Sequence, residues 1–148
     1  MNRRNMLKTA LALIVCSGLP LPRLLMAAWN KPAFRSDTLK EALIALAGSA
    51  EHTPSDLIVI KIPDTVLNGA VVQITATTTL ENIESMSILV ENNPNPLVAV
   101  FEMGPKMAGF ISTRIKMAET SRVYVMVKAN GVLYSAFQPV QVLVGGCY

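Results

Sequence analysis

Residues 122–144 read RVYVMVKANGVLYSAFQPVQVLV: two β-branched runs joined by Ala129-Asn130-Gly131. An Asn-Gly pair between apolar runs is the strongest short-range signal for a hairpin, because both residues tolerate the positive φ that a tight turn demands. The stretch therefore predicts two antiparallel strands, 122–128 and 132–144. Working back toward the N-terminus, the same period of two recurs in short runs bounded by turn residues. The run 57–62 stops at Pro63, 71–79 follows Asn68-Gly69, and 86–91 ends in Asn92-Asn93-Pro94-Asn95-Pro96. The run 97–103 meets Gly104-Pro105, and 109–117 follows it.

That makes seven strands rich in Val, Ile and Thr, evenly spaced and each apolar on one face. Two half-apolar sheets must bury those faces against each other. The expected fold is all-β, an immunoglobulin-like antiparallel β-sandwich of about seven strands with one N-terminal helix. The helix is expected over 36–48. Thr38 with Glu41 fits a capping box, Leu39, Ala42, Leu43, Leu46 and Ala47 share a face, and Gly48 stops it. Trp29 and Phe34 lie just before it and are placed to pack alongside.

The first 28 residues have a different character. Arg3 and Arg4 lead, an apolar stretch follows from Ala10 to Leu19, and Ala27-Ala28 offers a small-residue cleavage site. The apolar stretch is about ten residues long against the roughly 20 of a membrane helix, so residues 1–28 read as a removable signal. Arg3-Arg4-Asn5-Met6-Leu7-Lys8 fits the twin-arginine export pattern RRxxLK, which a receptor reads. A periplasmic protein with no membrane attachment after processing is expected. Val15 before Cys16 stands where a lipoprotein signal wants a smaller residue.

Charge follows from that division. The 148 residues carry 13 Lys and Arg against 10 Asp and Glu, a net charge of +3. Residues 1–28 hold four of the basic residues and no acid, which leaves nine against ten and a mature charge of −1. The basic balance belongs to the signal, so nothing points to a nucleic-acid partner.

Chemistry-bearing motifs are few. There is no Gly-rich phosphate loop, HExxH, CxxC or GxSxG, and His52 is the only histidine. A histidine-based metal site or nucleophile–base pair has little to draw on. Met86, Met103, Met107, Met117 and Met126 alternate with Val and Ile, a pattern of core packing rather than of a copper site. No metal and no cofactor are expected. Of the two cysteines, Cys16 leaves with the signal, and Cys147 follows Val142-Leu143-Val144-Gly145-Gly146. An odd cysteine in an oxidising compartment implies an intermolecular disulfide or a reactive thiol. Gly145 and Gly146 present no side chains, so residues 145–148 form a mobile arm spanning about 10 Å from Val144 to Cys147 when extended. The organisation expected is a signal over 1–28, a helical segment over 29–50, the sandwich over 51–144 and the arm over 145–148.

Four stretches together resemble the SoxY family, the sulfur carrier subunits of the periplasmic thiosulfate-oxidising (Sox) system. They are Ile62-Pro63 with Asn68-Gly69-Ala70-Val71-Val72, then Asn93-Pro94-Asn95-Pro96 leading to Phe101. Ser112-Thr113-Arg114-Ile115-Lys116-Met117-Ala118 and Gly145-Gly146-Cys147 complete the set. The resemblance implies a non-catalytic carrier that holds thiosulfate-derived sulfur covalently on Cys147. It also implies a heterodimer with a second sandwich subunit, SoxZ. A c-type cytochrome complex would load it, a sulfate-releasing hydrolase would trim the adduct, and sulfur-oxidising partners would take the remaining sulfur. The family tail continues GGCGG, whereas here Tyr148 follows Cys147. This variant tip is expected to bring an aromatic ring and the terminal carboxylate to the thiol, and so to suit a different set of partners. Two other classes remain: a structural module bridged through Cys147, and a cysteine-dependent transferase with His52 as its base.

Overall fold

A computed structural model describes residues 30–144. The signal with Arg3, Arg4 and Cys16, and the arm with Gly145, Gly146, Cys147 and Tyr148, lie outside the described residues. Among the described residues two helices come first, α1 (Lys31–Phe34) and α2 (Leu39–Ala47). Nine strands follow: β1 (Thr53–Pro54), β2 (Ile58–Lys61), β3 (Thr65–Asn68), β4 (Val72–Thr78) and β5 (Ile83–Val90), then β6 (Leu97–Glu102), β7 (Phe110–Ile115), β8 (Ser121–Ala129) and β9 (Val132–Val144).

The hairpin expected at Asn130-Gly131 is present. β8 pairs antiparallel with β9 from Ser121↔Val140 to Ala129↔Val132. Asn130 and Gly131 take φ of 50° and 75°, the left-handed pair that matches strand twist in a two-residue turn. Glu84 on neighbouring β5 locks this turn, its Oε1 accepting from the Gly131 N–H at 2.7 Å. The backbone bond and the Lys128 ammonium 3.0 Å away hold the Glu84 carboxyl below its ordinary range.

Two sheets face each other, one ordered β1-β9-β8-β5-β6 with β3 also on β9, the other β2-β4-β7. Their inner faces interdigitate Ile58, Val72, Ile74, Ile111 and Ile115 with Met86, Ile88, Val123, Val125, Val127 and Val140. The expected immunoglobulin-like sandwich is what forms, and all seven expected strands are there with ends shifted by up to three residues. β1 and β3 are additions, and they pair parallel with β9, so the sandwich is not antiparallel throughout. Pro54 is tolerated in β1 because an edge position asks for no N–H.

The helix also stands, shortened to α2. Its cap is Thr38, whose Oγ1 accepts from the Glu41 N–H at 3.2 Å, and Gly48 ends it at φ 80°. The one-turn α1 precedes it, capped by Asn30 and opened by Pro32 near its start, a favoured place for a residue lacking an N–H. Ala33, Ala42 and Leu43 pack with Leu89, Leu97 and Met126 on the outer face of the larger sheet, with Phe34 half-buried beside them. The helices thus cover one outer face of the sandwich.

Four of the five methionines that alternate with Val and Ile in the sequence behave as core. Met86, Met117 and Met126 are fully buried and Met103 nearly so, each among aliphatic side chains. Met107 differs: it is 58% exposed, beside Phe101 and Phe110 in a groove of about 450 Å³ between the free edges β6 and β7.

Candidate functional site

The residue that sequence reasoning ranks first is Cys147, and the described chain leads to it through the end of β9. Here β9 changes partners. Its antiparallel ladder with β8 ends at Val140, and from Gln141 it pairs parallel with β3 through Thr65↔Gln141, Val66↔Val142 and Asn68↔Val144. The period of two continues across the change. Val66 and Val142 turn inward against the core, while Leu67, Leu143 and Val144 are exposed. Val71, just after the β3–β4 connection, is exposed as well.

Asn68-Gly69 does not make a second tight hairpin. Among the described glycines only Gly48 and Gly131 have positive φ. The chain instead crosses from one sheet to the other, with Asn68 Oδ1 accepting from the Ala70 N–H at 2.8 Å. Gly69 then does two things. Its N–H donates to the Val144 carbonyl at 2.8 Å, and its carbonyl accepts from the Met117 N–H at 2.8 Å.

The loop around Met117 is fastened in turn. Asn93 is 5% exposed, its Nδ2 donating to the Lys116 carbonyl and its Oδ1 accepting from the Ala118 N–H, both at 2.9 Å. Next to it, Asn92 donates from Nδ2 to the Thr120 carbonyl at 2.9 Å, and its N–H donates to Ser121 Oγ at 3.0 Å. Thr120 Oγ1 accepts from the Val142 N–H at 3.0 Å and points back at the Val142 carbonyl at 3.4 Å. The stretches 68–69, 92–93 and 116–121, distant in sequence, therefore meet at the end of β9. No buried side-chain polar atom among the described residues lacks a partner.

His52 is elsewhere. Its Nδ1 lies 2.8 Å from Ser135 Oγ on β9, in a shallow cleft with Tyr124 and Phe137. Ser135 precedes Val144 by nine residues, about 30 Å along a strand. An arm of about 10 Å from Val144 does not bridge that separation, so His52 is not placed to serve as a base for Cys147. Ser135 is itself only 5% exposed, which leaves the His52–Ser135 pair a structural contact. Among the described residues no group of three or more His, Cys, Asp or Glu side chains is placed to hold a metal ion. No described helix is long and apolar enough to cross a membrane.

Sequence reasoning flagged Asn68-Gly69 and Asn92 to Pro96 as turns and the 112–118 run as a motif, without a role for any of them. Their convergence depends on backbone bonds between stretches up to 76 residues apart (Asn68 to Val144), which no local pattern encodes.

A family model described as "Sulfur oxidation protein SoxY" matches residues 43–147, so the match runs through Cys147. Among solved structures, the sulfur carrier protein SoxY from Chlorobium limicola f thiosulfatophilum is 36% identical to this chain. It superposes with a TM-score of 0.66, covering 78% of this chain and all of that one. No curated protein matches.

Proposed function

The chain belongs to the SoxY family, and from that premise we propose that it carries sulfur covalently on Cys147, presented from the end of β9 to partner enzymes. The family is one of carriers in sulfur oxidation rather than of catalysts. The observation that carries the finer reading is the family match reaching Cys147 together with the fastening of β9 up to Val144. A firm strand end, two residues without side chains (Gly145 and Gly146) and a thiol make a short arm able to enter a narrow channel. The thiolate is the nucleophile. Loading with thiosulfate joins the Cys147 sulfur to the outer sulfur of thiosulfate, releases the thiol proton and passes two electrons to a c-type cytochrome acceptor. A hydrolase then removes sulfate and leaves a persulfide-type sulfur, which sulfur-oxidising partners take up. The body needs no metal or cofactor for this, since the adduct is the cargo.

The same reading places the protein in the periplasm, exported through the Arg3-Arg4 signal together with a SoxZ-like sandwich subunit as a heterodimer. Tyr148 stands where the family tail has glycine, and on this reading the partner set differs from the usual one.

Intact-mass analysis of protein purified from thiosulfate-grown cells tests the assignment. The expected result is a reducible thiosulfate-derived increment on the parent and none on Cys147→Ser. A parent that never bears a sulfur increment, or that runs only as a disulfide-bridged dimer, overturns it.

A further inference from the structure

We infer that Asn92 and Asn93 are positioning residues for Cys147: through two hydrogen-bond paths that start at their side chains they fix where, and in which direction, β9 delivers the arm. This rests on the carrier reading of Cys147. The first path runs from Asn93 across Lys116 and Ala118 to Met117, then to Gly69 and the Val144 carbonyl. The second runs from Asn92 through Thr120 to Val142.

Two features make this more than loop packing. The β8 ladder stops at Val140, so beyond it β9 rests on β3, a four-residue edge strand whose last bond, from Gly69 to the Val144 carbonyl, is steadied by Met117 on the first path, while Thr120 adds a hold at Val142 that β3 does not supply. An edge strand without such support would let the strand end shift with it. Two attachments, two residues or about 7 Å apart, define a line and so a heading. The second feature is the choice of amide at position 93. Burying an amide is costly unless both its ends are paired. Here both are, and both partners are main-chain atoms of the three-residue stretch 116–118, so the side chain acts as a fixed spacer where an apolar side chain would only fill volume.

The consequence is for transfer. An arm of about 10 Å enters a partner's channel only if its root is aimed, and a wandering root lowers the fraction of productive encounters. The effect should fall on KM for the carrier in enzymatic loading, with the thiol itself unchanged.

The test compares Asn93→Ala, Asn92→Ala and Thr120→Val in the full protein with its partner subunit, with Met126→Ala as a control destabilised under the helices. The exposed Asn92 and Thr120 keep the test open if Asn93→Ala does not fold. Amide hydrogen exchange should accelerate about tenfold at Gly69 for Asn93→Ala and at Val142 for Asn92→Ala and Thr120→Val. Val125 in the core should change no more than in the control. Alkylation of Cys147 by a small reagent should proceed as in the parent, while KM for loading by the cytochrome complex rises severalfold. Exchange that rises equally at Val125, or a variant that loads with the parent's KM, overturns the positioning role. A parent that is never loaded overturns the carrier reading instead, and a different arm of the experiment reports it.

Discussion

Met117 sits where the core meets the end of β9, and its replacement separates the two. The side chain is fully buried in the cluster that fills the sandwich, while its N–H donates to the Gly69 carbonyl at 2.8 Å. Met117→Ala keeps that N–H but deletes three heavy atoms from a closed core. Such truncations cost about 2–5 kcal/mol, the upper part of the range applying where neighbours cannot collapse inward. Val and Ile on facing sheets are held by ladders and relax little, so a loss of about 3 kcal/mol is expected. For a folded unit of this size that lowers Tm by roughly 10 °C. Met117→Leu conserves volume and should lose less than about 1.5 kcal/mol. Urea unfolding measures both, with the midpoint shifting and the slope unchanged. If alanine costs under about 1 kcal/mol the packing account is wrong. If leucine costs as much as alanine, the thioether is doing something other than filling space.

Two further outcomes follow from the β8–β9 turn. Gly131→Ala places a Cβ at φ 75°, where the left-handed conformation costs roughly 1–2 kcal/mol, and thermal unfolding should show that loss with the fold intact. A neutral result would mean that the turn changes type to accommodate it. Glu84, lowered chiefly by the Gly131 N–H and then by Lys128, stabilises the fold above the ordinary carboxylate value of 4.5. That contribution disappears as pH falls through the lower folded-state value. The stability gap between the parent and Glu84→Gln should therefore be flat near pH 7 and close on acidification. A side-chain NMR midpoint at or above 4.5 would refute it.

What the sequence disclosed was whatever local periodicity and turn chemistry carry. The Asn130-Gly131 hairpin, the Thr38 cap and Gly48 stop, and the alternating valines of β8 each declare themselves within ten residues. β1 and β3 do not, because two- and four-residue strands become strands only on meeting β9, and parallel pairing across 81 and 76 residues leaves no local trace. Asn68-Gly69 is a related case: the sequence marks it only as a turn, and where Asn130-Gly131 closes a hairpin this pair carries the chain between sheets, a choice decided by where β4 lands. Asn93 looked like turn filler beside two prolines. Its role lies in what its amide reaches, and residues 116–118 are named by no pattern around it.

The partner change along β9 also has a mechanical meaning. A pull applied beyond Val144 runs along the strand, parallel to its length, and the ladders to β8, β1 and β3 all lie crosswise to it. Such a load is met in shear, so many hydrogen bonds must fail together rather than one after another as in unzipping. A pull on the chain beyond Val144 is thus taken up along its longest strand, the direction in which its sheet resists most.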